Sequence, residues 1–187
     1  MSTETKTALL DVAEHAARAR GFDGFSYADL ADAVGIRKAS IHYHFPTKAA
    51  LSEALMDRYH ATLETECEKI EAEYDTGSAR LLALISLYRE ALNDGKTLCL
   101  CVSLISSRES LSNAVLEKID AFHAMMLGRI QAIFDLGQED KTIAGVTNPT
   151  AEARATLALL EGAHLTARAA ESIQTFDAAF EMLTSRC

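Results

Sequence analysis

The sequence has only two prolines, Pro46 and Pro149, and nine glycines in 187 residues. A β-sandwich or barrel needs frequent Gly/Pro turns between short alternating strands, so an all-β architecture is excluded. No apolar run reaches the roughly 20 residues that cross a bilayer. The opening MSTETKTALLDVAEHAARAR lacks the short apolar block of a secretory leader. A cytoplasmic location with no membrane partner is therefore expected. In that compartment Cys67, Cys99, Cys101 and Cys187 are expected to be reduced thiols, not a disulfide framework. Catalytic signatures are missing as well. There is no G-x-S-x-G, no glycine-rich phosphate loop, no H-E-x-x-H, and no carboxylate with a partner at catalytic spacing in an apolar stretch. The chain is read as a non-enzyme without a cofactor.

What is present favours helix and a real core. Hydrophobic residues make up 49% and charged residues 24%, which suits one or two small globular domains. The formal net charge of −9 argues against a basic coat, but its distribution matters more than its sum. Residues 1–48 hold six Lys/Arg and six Asp/Glu; the other 12 Lys/Arg and 21 Asp/Glu carry the whole excess. Between Asp32 and Glu53 no acidic residue occurs, while Arg37, Lys38, His42, His44 and Lys48 fall in that gap.

Periodicity and punctuation predict an all-α fold of about nine helices. Leu9, Val12, Ala13 and Ala16 give a first amphipathic helix from Thr3 to Arg20, stopped by Gly21. Ser26 and Asp29 have the spacing of a capping box, and Phe25 and Leu30 that of a hydrophobic staple, so a second helix starts at Tyr27 and ends by Val34, before Gly35. A short helix from Arg37 to His44 stops ahead of Pro46. A long one begins at Lys48, with Leu51, Leu55, Tyr59, Leu63, Cys67, Ile70 and Tyr74 on one face. Further helices are expected over Ala79–Leu92, Leu98–Ser106, Leu111–Leu136, Thr150–Ala170 and Ile173–Thr184, with a polar loop at 137–148 and Pro149 opening the penultimate helix.

Tyr27 to Phe45 forms a helix-turn-helix pattern: a capped short helix, a turn around Gly35 and a second short helix. Leu30, Ala31, Val34, Ile36 and Ile41 close its core. The second helix then exposes Arg37, Lys38, Ser40, His42, Tyr43 and His44. Such cations and hydroxyls suit guanine edges and phosphates, and Ala39 allows close approach. Lys48 lies at a helix start, where free N–H groups favour a phosphate.

The segment GFDGFSYADLADAVGIRKASIHYHFPTKAAL resembles the N-terminal DNA-binding domain of the TetR family of transcriptional regulators. The likeness spans roughly residues 5–55 and includes the LAxAVGI-type core, the K-A-S-I entry to the second helix and the HF-P-x-K exit. It implies an N-terminal helix-turn-helix domain at 1–47 and a ligand-binding and dimerisation domain at 48–187. It also implies a homodimeric repressor that binds double-stranded DNA at a near-palindromic operator and is released by a small-molecule effector. Carried over by position, Ser26 and Tyr27 match phosphate contacts at the start of the second helix. Arg37, Lys38, Ala39, His42 and Tyr43 match positions facing bases or backbone, and Ser40, His44 and Lys48 match phosphate anchors. Where this chain has His42 the family commonly has Tyr, so the resemblance does not carry over a stacking or hydroxyl contact from that position.

The C-terminal part is less specific. LCLCVSLISSRESL, AFHAMMLGRI and ALLEGAHLTARAAES resemble one C-terminal type in the family. Leu63, Cys67, Tyr88, Leu104, Phe122, His123, Met126 and His164 are candidate pocket residues. Small residues recurring at Ala151, Ala155, Ala158, Gly162, Thr166 and Ala169, with Phe176, Phe180 and Leu183 on the last helix, suggest a dimer seam. Two other readings stay open. His42 and His44, at i and i+2, point to different sides of a helix and are a poor metal pair, so no metal is expected. Cys99 and Cys101 could serve a thiol-based redox sensor or a helical enzyme, although buried thiols are commoner in an apolar helix.

Overall fold

The computed structural model describes residues 3–187. Among the described residues there are nine α-helices, one turn of 3-10 helix and no strand. They run α1 (Thr3–Arg20), α2 (Tyr27–Val34), α3 (Lys38–His44), α4 (Lys48–Glu73), α5 (Gly77–Ala91), α6 (Leu100–Ile105), α7 (Asn113–Glu139), α8 (Pro149–Ala170) and α9 (Ile173–Thr184). None of these helices is long and apolar enough to cross a membrane.

The expected caps do form. Ser26 accepts from the Asp29 N–H and Asp29 accepts from the Ser26 N–H, while Gly35 closes α2 in the left-handed region at φ 73°. Asn148 accepts from the Ala151 N–H at 3.1 Å and Pro149 occupies the first turn of α8. Several boundaries differ from expectation. Helix α3 starts one residue later, because Arg37 is extended at φ −79° and ψ 143°. Helix α5 starts two residues earlier, because Thr76 caps it by accepting from the Ala79 N–H. Helix α7 runs through Gly137 to Glu139, where a loop is expected. There Gly77 and Gly137 let two backbones meet: a Cβ on Gly77 would lie 2.3 Å from the Gly137 Cα. Helix α6 is also shorter than expected, and Arg108–Ser110 forms the 3-10 turn after it.

Two compact units are built from interleaved stretches of chain. The first takes the residues up to Ala61 together with Leu100–Asp120, and the second takes Thr62–Cys99 with Ala121–Cys187. Helices α4 and α7 each begin in the first unit and end in the second.

In the first unit α1 lies against α2 and α6, and α2 against α3. Leu9, Ala13 and Ala17 of α1, Leu30 of α2, Ile41 of α3, Leu51 and Leu55 of α4, and Leu104 of α6 form its buried core. Removing such side chains from water is the main stabilising term. Two polar ties fix the arrangement. The Arg58 guanidinium donates to Asp11 at 2.6 Å and Glu14 at 2.7 Å, and the Ser103 hydroxyl donates to the Ala17 carbonyl.

In the second unit α9 lies against α8 and α5. Phe122, Phe134, Phe176 and Phe180 are fully buried there. The Phe176 and Phe180 rings meet at 4.7 Å between centroids.

Candidate nucleic-acid interface

The second helix of the helix-turn-helix presents the expected surface. Arg37, Lys38, Ala39, His42 and Tyr43 are exposed, and Tyr43 reaches 73%. Ser40 and His44 are half-buried at the edges of that face, and Ile41 turns the opposite way at 0% exposure. With its N-cap Arg37, this seven-residue helix with one buried anchor therefore shows solvent two cations, the His42 imidazole and the Tyr43 phenol. The acid-free gap of the sequence becomes a surface without carboxylates on this helix.

The remaining expected contacts are more engaged within the chain. Ser26 gives both its N–H, at 2.7 Å, and its hydroxyl, at 2.9 Å, to the Asp29 carboxylate. Those bonds from Ser26 hold the Asp29 carboxyl below its usual range. Tyr27 is buried, and its hydroxyl lies 2.9 Å from the Phe45 carbonyl and 2.7 Å from the Thr47 carbonyl. Burial pushes its phenol up to about 12. The Lys48 ammonium donates to the Phe25 carbonyl at 2.7 Å, and desolvation lowers its basicity. His42 Nδ1 donates to the Pro46 carbonyl at 3.2 Å, which leaves Nε2 an acceptor in the neutral ring and a donor only in the imidazolium.

Phe25, Ser26, Tyr27, Lys38, His42, Pro46, Thr47 and Lys48 line one open groove of about 320 Å³. The structure thus brings seven of the ten expected nucleic-acid residues onto α3 or its flanking turns and puts Ser26, Tyr27 and Lys48 beside them. Thr47 is an addition. Its hydroxyl caps α4 by accepting from the Ala50 N–H at 3.1 Å, a role legible in the T-K-A-A sequence but not drawn from it.

The candidate effector residues have a different character. Leu63, Cys67, Tyr88, Phe122, Met126 and His164 are buried in the second unit, His123 is half-buried there, and Leu104 is buried in the first. Both ring nitrogens of His164 are engaged: Nδ1 accepts from the Cys99 N–H at 3.0 Å and Nε2 donates to the Tyr88 carbonyl at 2.9 Å. His123 Nε2 lies 2.8 Å from the Glu161 carboxylate. Cys67, Ile70, Glu71, Leu84, Arg129 and Ile133 surround a cavity of about 10 Å³, enough for roughly one water. Burial pushes the Cys67 thiol up to about 11. Arg129 joins Glu71 at 2.7 Å and Glu68 at 3.6 Å. Cys99 and Cys101 are fully buried, with the Cys101 Sγ 4.0 Å from the Met56 sulfur, so neither meets solvent in this conformation.

The expected seam splits in two. Ala155, Ala158, Gly162 and Thr166 are exposed along α8, next to Leu165 at 49%. Phe176, Phe180 and Leu183 instead point into the chain's own core, at 0%, 2% and 7% exposure. The apolar period of α9 carries its attachment to α8 and α5, and Met182, 82% exposed, is the large apolar side chain it shows to solvent.

An all-α chain whose N-terminal unit carries a capped helix-turn-helix with a cationic, acid-free outer face defines the class of helix-turn-helix regulators. Residues 9–55 match the profile of bacterial regulatory proteins of the tetR family. Over the whole chain, the fold is shared with a TetR-family transcriptional regulator from Agrobacterium tumefaciens. The two are 28% identical with a TM-score of 0.92, covering 98% of this chain and 97% of that one. The regulatory protein TetR from Rhodobacter sphaeroides shares the fold at a TM-score of 0.90 and 16% identity, covering 98% and 99%. The HTH-type transcriptional regulator TtgR of Pseudomonas putida is 30% identical over 96 residues, which is 50% of this chain and 46% of that protein. The match therefore spans about half the length of that curated relative. Residues 9–55 therefore carry the helix-turn-helix domain of the tetR family of bacterial regulatory proteins, and the whole chain shares its fold with TetR-family regulators.

Proposed function

We propose that the protein is a DNA-binding transcriptional repressor that acts as a homodimer on a near-palindromic operator and is released by a small-molecule effector. The observation that carries this reading is the outer face of α3, where Arg37, Lys38, His42 and Tyr43 stand exposed without a neighbouring carboxylate on the helix. That face suits the major groove of double-stranded DNA, with the cations on guanine edges or phosphates. Ser40 and His44, half-buried at its edge, would meet the backbone.

Two reading heads are needed, one per half-site, and the exposed small residues of α8 support a two-fold pairing. Ala155, Ala158 and Gly162 would let a second α8 approach closely, with Leu165 and Met182 adding apolar area. The labour divides as residues 1–47 for recognition and 48–187 for effector binding and pairing. An effector among Leu63, Cys67, Tyr88, Phe122 and Met126 would tilt α4, change the separation of the two heads, and lower affinity by a coupling of roughly 1–3 kcal/mol.

The test is selection of bound fragments from genomic DNA, followed by affinity measurements across a salt series. A two-fold motif with half-sites one helical turn or more apart is expected, with affinity falling steeply as salt rises. Recovery of no motif, or affinity insensitive to salt, refutes the reading.

A further inference from the structure

We infer that Tyr27 and Lys48 are positioning residues that clasp the exit of α3 onto the entry of α2, rather than side chains that hold phosphate. The inference rests on the nucleic-acid reading above. Two tethers run in opposite directions between the same two short stretches. From the start of α4, the Lys48 ammonium reaches back to the Phe25 carbonyl at 2.7 Å. It sits 4.6 Å from the centroid of the Phe22 ring and 4.3 Å from that of Phe25. Both rings are buried, so a desolvated cation–π contact adds to the hydrogen bond. From the start of α2, the Tyr27 hydroxyl reaches forward to the Phe45 and Thr47 carbonyls on either side of Pro46.

Helix α3 needs such help. It has seven residues and no side-chain bond at its N-cap, too short a helix to persist on its own hydrogen bonds. Ile41 is its single buried side chain. The clasp fixes the other end: the Tyr27 ring also meets the His42 ring at 4.9 Å between centroids. A phenol pushed to about 12 by burial stays a donor at every physiological pH, so the tether does not titrate. An ammonium aimed at a carbonyl between two ring faces would have to leave them to reach a phosphate. The first turn of α4 and the reading helix then move as one body, without a free hinge at Pro46.

The measurement compares Tyr27→Phe, Lys48→Met and Lys48→Arg with Lys38→Met, a variant of an exposed α3 cation. Affinity is read for the selected operator and for a scrambled duplex of equal length across a salt series, below each variant's melting transition as followed by circular dichroism. Tyr27→Phe and Lys48→Met should each weaken operator binding about five- to tenfold while scrambled binding and the salt slope stay unchanged, a loss of specificity alone. Lys48→Arg, which can still stack and donate, should restore most of it. Lys38→Met should weaken both duplexes and lower the slope by about 0.9, one phosphate's worth. A slope drop of that size in Lys48→Met, a parallel loss on both duplexes, or unchanged operator affinity in Tyr27→Phe and Lys48→Met would overturn the clasp and leave the functional reading standing. A wild-type protein that binds no duplex removes both.

Discussion

Helices α3 and α8 use histidine and apolar residues in opposite ways. On α3 the imidazole of His42 and the phenol of Tyr43 face solvent, and one apolar residue, Ile41, is buried. On α8 the imidazole of His164 is fully buried with both nitrogens bonded to backbone, while small and apolar residues from Ala155 to Thr166 face outward. A polar side chain that a fold leaves outside is available to a partner in water; one taken inside must be satisfied there. The difference teaches that residue type alone does not mark a site. His164 and His42 are the same residue with different work: one ties Cys99 and Tyr88 together and the other faces the groove.

The largest effect that could break this comparison is expected inside. His164→Leu keeps volume but removes two buried hydrogen bonds, those to the Cys99 N–H and the Tyr88 carbonyl, at a cost of roughly 2–5 kcal/mol in urea unfolding. A loss under about 1 kcal/mol would mean that His164 is not structural. Phe176→Ala should cost a similar roughly 3–5 kcal/mol, because its ring is fully buried against α8 and α5. Ala158→Glu sits on the exposed face of α8 and should leave chain stability nearly unchanged while sedimentation shows dimers giving way to monomers. If Phe176→Ala dissociated the dimer at unchanged chain stability, the seam would run along α9 after all. Tyr43→Ala, on a side chain 73% exposed, should shift unfolding by no more than about 0.5 kcal/mol and weaken operator binding about tenfold in gel-shift titration.

The first unit was far more legible in the sequence than the second. Capping signals are local, so Ser26, Asp29 and Gly35 announce α2 without knowledge of its neighbours. The acid-free gap likewise marks a surface by composition alone. What stayed hidden depends on contacts between residues distant in sequence. The Tyr27 hydroxyl and Lys48 ammonium look like backbone-phosphate ligands in isolation, and only their distances to Phe25, Phe45 and Thr47 reveal the tethers. Helix α9 shows the same limit. A stripe of Phe176, Phe180 and Leu183 says that one face is covered but not by which surface, and the chain's own α8 and α5 supply it. The glycine contact that extends α7 is a third case, since Gly77 and Gly137 are sixty residues apart in sequence.

The smallest effect sharpens the contrast from the charged side. Arg89 on α5 and Asp177 on α9 form a bidentate pair at 2.6 and 2.9 Å, with each side chain 44% exposed. The guanidinium bonds hold the Asp177 carboxyl below its usual range. A carboxylate whose folded value is depressed stabilises the fold above its unfolded value, near 3.9, and loses that contribution as pH falls through the folded value. Because water screens so open a pair, Asp177→Asn should cost under about 1 kcal/mol at neutral pH. The difference between wild type and variant should shrink below about pH 4 and also in high salt, as read from urea unfolding at each condition. Lys38 on α3 is exposed without a carboxylate on its own helix, so its replacement should leave the acid limb of the stability profile where it was. A pair that cost several kcal/mol, or one whose contribution survived acid, would place α9's charges with the buried histidine of α8 rather than on the solvated surface.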